Sequence, residues 1–124
     1  MSDKSSVKEL WLQRYPRKFP KADRSVAPVP GAIAVSRAGR DRYRAFIITD
    51  VLPAEIGEKT LRVMVADGKL RSTASPKKKN LSHLVLVKHS PRAAEMLATG
   101  SFTDSAAEMI LKEEWYGTNI SINQ

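Results

Sequence analysis

The stretch LRVMVADGKLR, residues 61–71, decides the fold class. Val63 and Val65 alternate with Arg62 and Met64, the two-residue period of a strand with one buried face. Asp67 and Gly68 follow, the pair preferred by a two-residue type I′ turn because both central positions need positive φ. The segment therefore predicts a β-hairpin, with Lys69 and Arg71 sharing one face of the strand that leaves it.

The same chemistry extends to both sides. Upstream, GAIAVSR (31–37) alternates Ile33 and Val35 with small residues. YRAFIITDVL (43–52) is rich in β-formers and runs into the turn region PAEIGEK. Downstream, Pro76 and a lysine run occupy a loop before a last strand, SHLVLV. Five short strands in about 60 residues leave no room for crossover helices, so the expected fold is mainly β, a small five-stranded antiparallel barrel. In RAFIIT, Arg44, Phe46 and Ile48 share parity. A bulge near Ala45 would switch faces; otherwise C-terminal helices cover Phe46 and Ile48, and the latter is expected.

The barrel is assigned to residues 29–90. Residues 91–124 form a C-terminal helical segment and tail. Ser90 and Pro91 make an N-cap and first turn, and Gly100 a stop. A second helix starts between Thr103 and Ser105, where Ser105-x-x-Glu108 is a capping box, and runs to about Tyr116 with Met109, Ile110 and Trp115 buried. Met64 and Met96 are also expected in the core. Residues 1–28 are a basic, proline-containing extension. Ser6-x-x-Glu9 suggests a short helix over 6–14, ended by Pro16, with extended and largely unpaired backbone beyond it.

Charge narrows the function. The 124 residues carry 21 Lys and Arg against 13 Asp and Glu, a net +8, and the pI is near 10.0. Residues 25–92 hold thirteen basic and five acidic groups, whereas residues 93–124 hold one and five. A strongly cationic body favours a polyanionic partner. Cysteine is absent, which removes disulfides, thiolate nucleophiles and Cys-based zinc sites. The start lacks a secretory h-region and no apolar run approaches a membrane span, so a cytoplasmic protein without membrane attachment is expected.

Two constellations concentrate the charge. SRAGRDRYR (36–44) crowds Arg37, Arg40, Arg42 and Arg44 around Gly39, a backbone device for the turn, with Asp41 as the local acid. Guanidinium groups bind phosphate oxygens in bidentate fashion and stack on unpaired bases. The second, DGKLRSTASPKKKNLSHL (67–84), offers Lys69, Arg71, Lys77, Lys78, Lys79, Asn80 and His83. In a five-stranded barrel these two loops converge at one end into one patch. In the extension, Arg14, Arg17, Lys18, Lys21 and Arg24 interleave with Tyr15 and Phe19, a composition that suits threading along folded RNA as well as a solubilising leader.

VPGAIAVSRAGRDRYRAFIITDVL and VADGKLRSTASPKKKNLSHL together resemble bacterial KOW-domain RNA-binding proteins, which are related to archaeal and eukaryotic-type large-subunit ribosomal proteins. The likeness spans residues 30–87, about half the chain. It implies an SH3-like barrel that contacts RNA, rRNA of the large ribosomal subunit above all, through its basic loops. Arg40, Asp41, Lys69, Arg71, Lys77 to Asn80 and His83 are the matched positions. Tyr43 stands where the family has glycine. Tyrosine resists positive φ, so either the turn differs there or the ring adds a stacking surface.

Catalysis has little support. GEKT (57–60) resembles the end of a phosphate loop, but Leu52 occupies the position of its first glycine. No hydrolase elbow, zinc-protease motif or dinucleotide turn is present, His83 and His89 have no companion ligands in sequence, and no cofactor or metal is implied. The expected function is non-enzymatic RNA binding in association with the ribosome. The alternative is a protein-interaction module of the SH3-like class in the translation or transcription machinery, with a partner at the acidic C-terminal helix.

Overall fold

The computed structural model describes residues 19–117, so the helix expected over 6–14 lies outside them. Five strands come in chain order: β1 (Ala32–Ser36), β2 (Ala45–Val51), β3 (Arg62–Ala66), β4 (Lys77–Asn80) and β5 (Leu84–His89). A 3-10 turn, Leu81–His83, links β4 to β5, and two helices follow, α1 (Pro91–Thr99) and α2 (Asp104–Leu111). The strands form one antiparallel sheet in the order β4-β3-β2-β1-β5, with β4 and β5 at its open edges.

Every residue of β1 is buried, because this interior strand is covered on both faces. Ile33 and Val35 point to one side with Ala45 and Ile47, where Ala93 of α1 and Ala107, Ile110 and Leu111 of α2 pack on them. Ala32 and Ala34 point to the other, with Phe46, Ile48, Val63, Val65 and Leu84. No residue of α1 or α2 joins this second cluster, yet Phe46 and Ile48 are fully buried. Val26 from the segment before β1, Val51, Leu86 and Leu81 of the 3-10 turn pack against this cluster. Burying each of these large side chains contributes about 1.5–3 kcal/mol. The helices thus cover Ala45 and Ile47, and the expectation that they cover Phe46 and Ile48 is corrected: those two are buried on the other face, among side chains of the sheet and its flanking segments.

The strand after Asp67 also differs from expectation. Asp67 is not in the left-handed region, so no type I′ turn forms; only Gly68 has positive φ, +81°. Asp67 instead uses one carboxylate oxygen to accept from the N–H groups of Lys69 (3.0 Å) and Arg71 (2.9 Å), which rounds residues 67–71 into a capped loop. Lys69 and Arg71 therefore sit on a loop, and the fourth strand is the lysine run itself, paired from Arg62↔Asn80 to Val65↔Lys77. Lysine suits an edge strand, since its charge discourages pairing with further chains.

The helices obey their local signals closely. Ser90 caps α1 and Gly100 ends it at φ +75°. Thr103, rather than Ser105, caps α2 by accepting from Ala106 N–H. Beyond α2 the helix continues as one wide π turn, Lys112–Tyr116, so it does reach Tyr116. Ile110 is buried and Trp115 packs against the core, but Met109 remains 42% exposed. Ser90 is a junction: its N–H donates to Gly31 O (2.9 Å), its hydroxyl accepts from Ala93 N–H and donates to Glu114 (2.9 Å). No described helix is long and apolar enough to cross a membrane.

Candidate nucleic-acid interface

The connection from β1 to β2 is closed by its backbone. Ser36 N–H donates to Arg44 O and Tyr43 N–H to Ser36 O, both at 2.8 Å, and Arg44 N–H donates to Asp41 O. Gly39 takes φ +83°, as a tight turn requires. Tyr43 takes φ +73°, a left-handed conformation that glycine adopts far more readily. Its ring stacks on Phe19 with centroids 4.6 Å apart and lies 5.9 Å from the Arg42 guanidinium.

One buried acid organises the turn. Asp41 accepts from Ser36 Oγ and Lys79 Nζ, each at 2.7 Å, and lies 3.4 Å from Lys77 Nζ. Burial pushes its carboxyl up, but the hydrogen bonds from Lys79 and Ser36 and the charges of Lys79 and Lys77 outweigh that and hold it below the ordinary carboxylate value. Lys79 also reaches Ala38 O, so this lysine spends its charge inside the protein. The arginine turn and the lysine strand are therefore direct neighbours at one end of the sheet.

Arg44 likewise turns inward, to Asp67 at 3.2 Å, with both side chains buried. Its Nε has no hydrogen-bond partner. Beside this pair, Ala45 N–H donates to the Tyr116 hydroxyl (2.9 Å), and burial raises the phenol against that bond. Tyr116 escaped the sequence reading because a lone aromatic at a helix end gives no periodic signal.

The other predicted residues do not all meet. Arg37, Arg40 and Arg42 are exposed on the turn, and Arg37 N–H is fixed to His83 O (2.8 Å), which brings exposed His83 alongside. Arg40, Arg71 and Lys77, from three separate segments, line one cleft of about 320 Å³ together with Asp41 and Leu70. Leu70 had no sequence signal of its own. Lys78 is exposed but alternates to the opposite face from Lys77 and Lys79. Asn80 caps the 3-10 turn through Ser82 N–H, and Lys69 pairs with Glu108 at 3.6 Å.

The acidic helix end is engaged by the chain's own bases. Glu113 and Glu114 bind Arg92 at 3.0 and 3.1 Å, and Glu114 also approaches Lys88. Among the described residues no group of three or more His, Asp or Glu could hold a metal ion. Neither protein-family models nor curated proteins give a match to this chain, so its function has to be read from the chemistry of this cationic rim.

Proposed function

We propose that this protein is a non-enzymatic RNA-binding protein whose sheet is a KOW-type, SH3-like barrel, and that it associates with the ribosome through large-subunit rRNA in the cytoplasm. The observation that carries the reading is the convergence of Arg40, Arg71 and Lys77 on one cleft, flanked by exposed Arg37 and Arg42. Asp41 offsets the charge of Lys77 from within the cleft, and the positive charge that remains on Arg40 and Arg71 repels unless a further anion lies there, which a phosphodiester backbone supplies. The 3-10 turn between the fourth and fifth strands and the full burial of Phe46 and Ile48 on the face that α1 and α2 leave uncovered suit such a barrel. Arg44 and Lys79 act as framework in this reading, holding the rim from beneath. The protein-module alternative loses ground because Glu108, Glu113 and Glu114 already pair with Lys69 and Arg92.

The test is the salt dependence of RNA binding. If Arg37, Arg40, Arg42, Arg71 and Lys77 neutralise about five phosphates, log affinity for single-stranded RNA falls with log salt at a slope of about −3.5. Reversing charge at Arg40→Glu and Arg71→Glu together flattens the slope by about 1.4 or more. Lys59→Glu, at the opposite end of the strands, leaves it nearly unchanged. Equal slopes for the double variant and the parent would refute the assigned surface. Ribosome cosedimentation that survives RNase and high salt would refute the RNA reading.

A further inference from the structure

Tyr43 is the only non-glycine residue with positive φ among those described. The other left-handed positions, Gly31, Gly39, Gly57, Gly68 and Gly100, are all glycine, as sterics favour. A tyrosine here lowers stability relative to glycine, and such strain at an exposed turn points to a role for the side chain itself. The ring has an aromatic and a cationic neighbour: Phe19 stacks on it at 4.6 Å and 22°, and the Arg42 guanidinium sits 5.9 Å from its centre. Phe19 remains 44% exposed, an unusual state for a phenylalanine that could have turned inward.

We propose that Phe19 and Tyr43 form a stacking platform for an unpaired base, so that this interface selects RNA with an accessible single-stranded nucleotide over perfect duplex. The inference rests on the RNA-binding reading and adds the class of RNA. An A-form duplex hides its base faces within the stack, whereas loops, bulges and single strands offer them to aromatic rings and arginine planes. A base stacked on Phe19 extends the Phe19–Tyr43 pair by one ring, while Arg40 and Arg37 on the same turn receive the flanking phosphates. Strain at Tyr43 is then the cost of presenting a ring where glycine would give a more stable turn.

The experiment compares a ten-nucleotide single-stranded RNA with a ten-base-pair RNA duplex, using the full chain and its Phe19→Ala, Tyr43→Gly and Tyr43→Phe variants. The parent binds the single strand more tightly. Phe19→Ala and Tyr43→Gly each weaken that binding by about tenfold or more and leave duplex binding within about twofold. Tyr43→Phe retains the preference. Tyr43→Gly also melts at the same or a higher temperature, which separates lost stacking from lost folding. A 2-aminopurine in the single strand is quenched by the parent but not by Phe19→Ala. If both RNAs bind and neither Phe19→Ala nor Tyr43→Gly alters the preference, the ring pair is only a staple for the N-terminal segment and the platform is refuted while RNA binding stands. If the parent binds neither RNA at low salt, the RNA reading falls and the platform with it.

Discussion

Replacing Asp41 with asparagine removes one charge from the buried cluster and almost no volume. Lys79 keeps Ser36 Oγ and Ala38 O as acceptors, and the asparagine carbonyl can still accept its proton. What disappears is the negative charge opposite a buried ammonium. Breaking a buried pair from one side costs about 3–5 kcal/mol, and the surviving hydrogen bonds put Asp41→Asn near the lower end. With a urea dependence of about 1.5 kcal/mol/M, the unfolding midpoint falls by about 2 M. Asp41→Asn combined with Lys79→Met recovers most of that loss, since with the ammonium gone no buried charge is left to need a counter-charge. The acid limb gives a second reading. Because the native carboxyl is held below its ordinary value, its contribution is complete above pH ~3.9 and fades as pH drops through the lower native value. Parent and variant stabilities should therefore converge as acid is added. A midpoint shift below about 0.3 M, or a double variant no more stable than the single one, would refute the view that Lys79 depends on Asp41.

Two glycines with similar backbone separate strain from crowding. A Cβ at Gly31 (φ +97°) would lie 2.7 Å from Ala94 Cβ, whereas one at Gly57 (φ +88°) meets nothing within 4 Å. Gly57→Ala is thus expected to cost about 1–2 kcal/mol by urea unfolding, and Gly31→Ala about 3 kcal/mol or more, because α1 must also shift. Tyr116→Phe leaves Ala45 N–H buried without its acceptor, for a loss of about 1–3 kcal/mol at neutral pH with RNA affinity unchanged. The same phenol, raised by burial, contributes stability that is complete below pH ~10 and lost as pH climbs through its higher native value, a limb the phenylalanine variant lacks.

What the sequence revealed follows how local each signal is. Ser90, Pro91 and Gly100 act within one turn of helix, and α1 begins and ends where they direct. Ile33, Val35 and the run after Arg44 carry β preference in their own side chains, so β1 and β2 were legible too. The fourth strand was not. Lys77, Lys78 and Lys79 have no apolar alternation, and what fixes their register is β3 beside them and Asp41, 38 residues from Lys79. Asp67 misled for a related reason: its turn propensity is real, but its carboxylate is taken by Arg44 and two backbone amides. The two inward-turning bases look identical in sequence to the exposed ones. Asp41 offered the one clue, as a single acid inside an arginine run has to neutralise something. Which face the helices cover was beyond reach, because parity says that Phe46 and Ile47 point apart but not which of them meets the helices.

Ser90 joins three pieces of structure that lie far apart along the chain: the entry to β1 through Gly31, the first turn of α1 through Ala93, and the final helical turn through Glu114. A knot of this kind leaves the helices no independent existence, and slow amide exchange should report one common opening for sheet and helices. During synthesis the same knot stays untied until Glu114 has left the exit tunnel. The rim's own ties, among Ser36, Asp41 and Lys79, all lie earlier in the chain, so the arginine turn can set before the helices are fastened to the sheet.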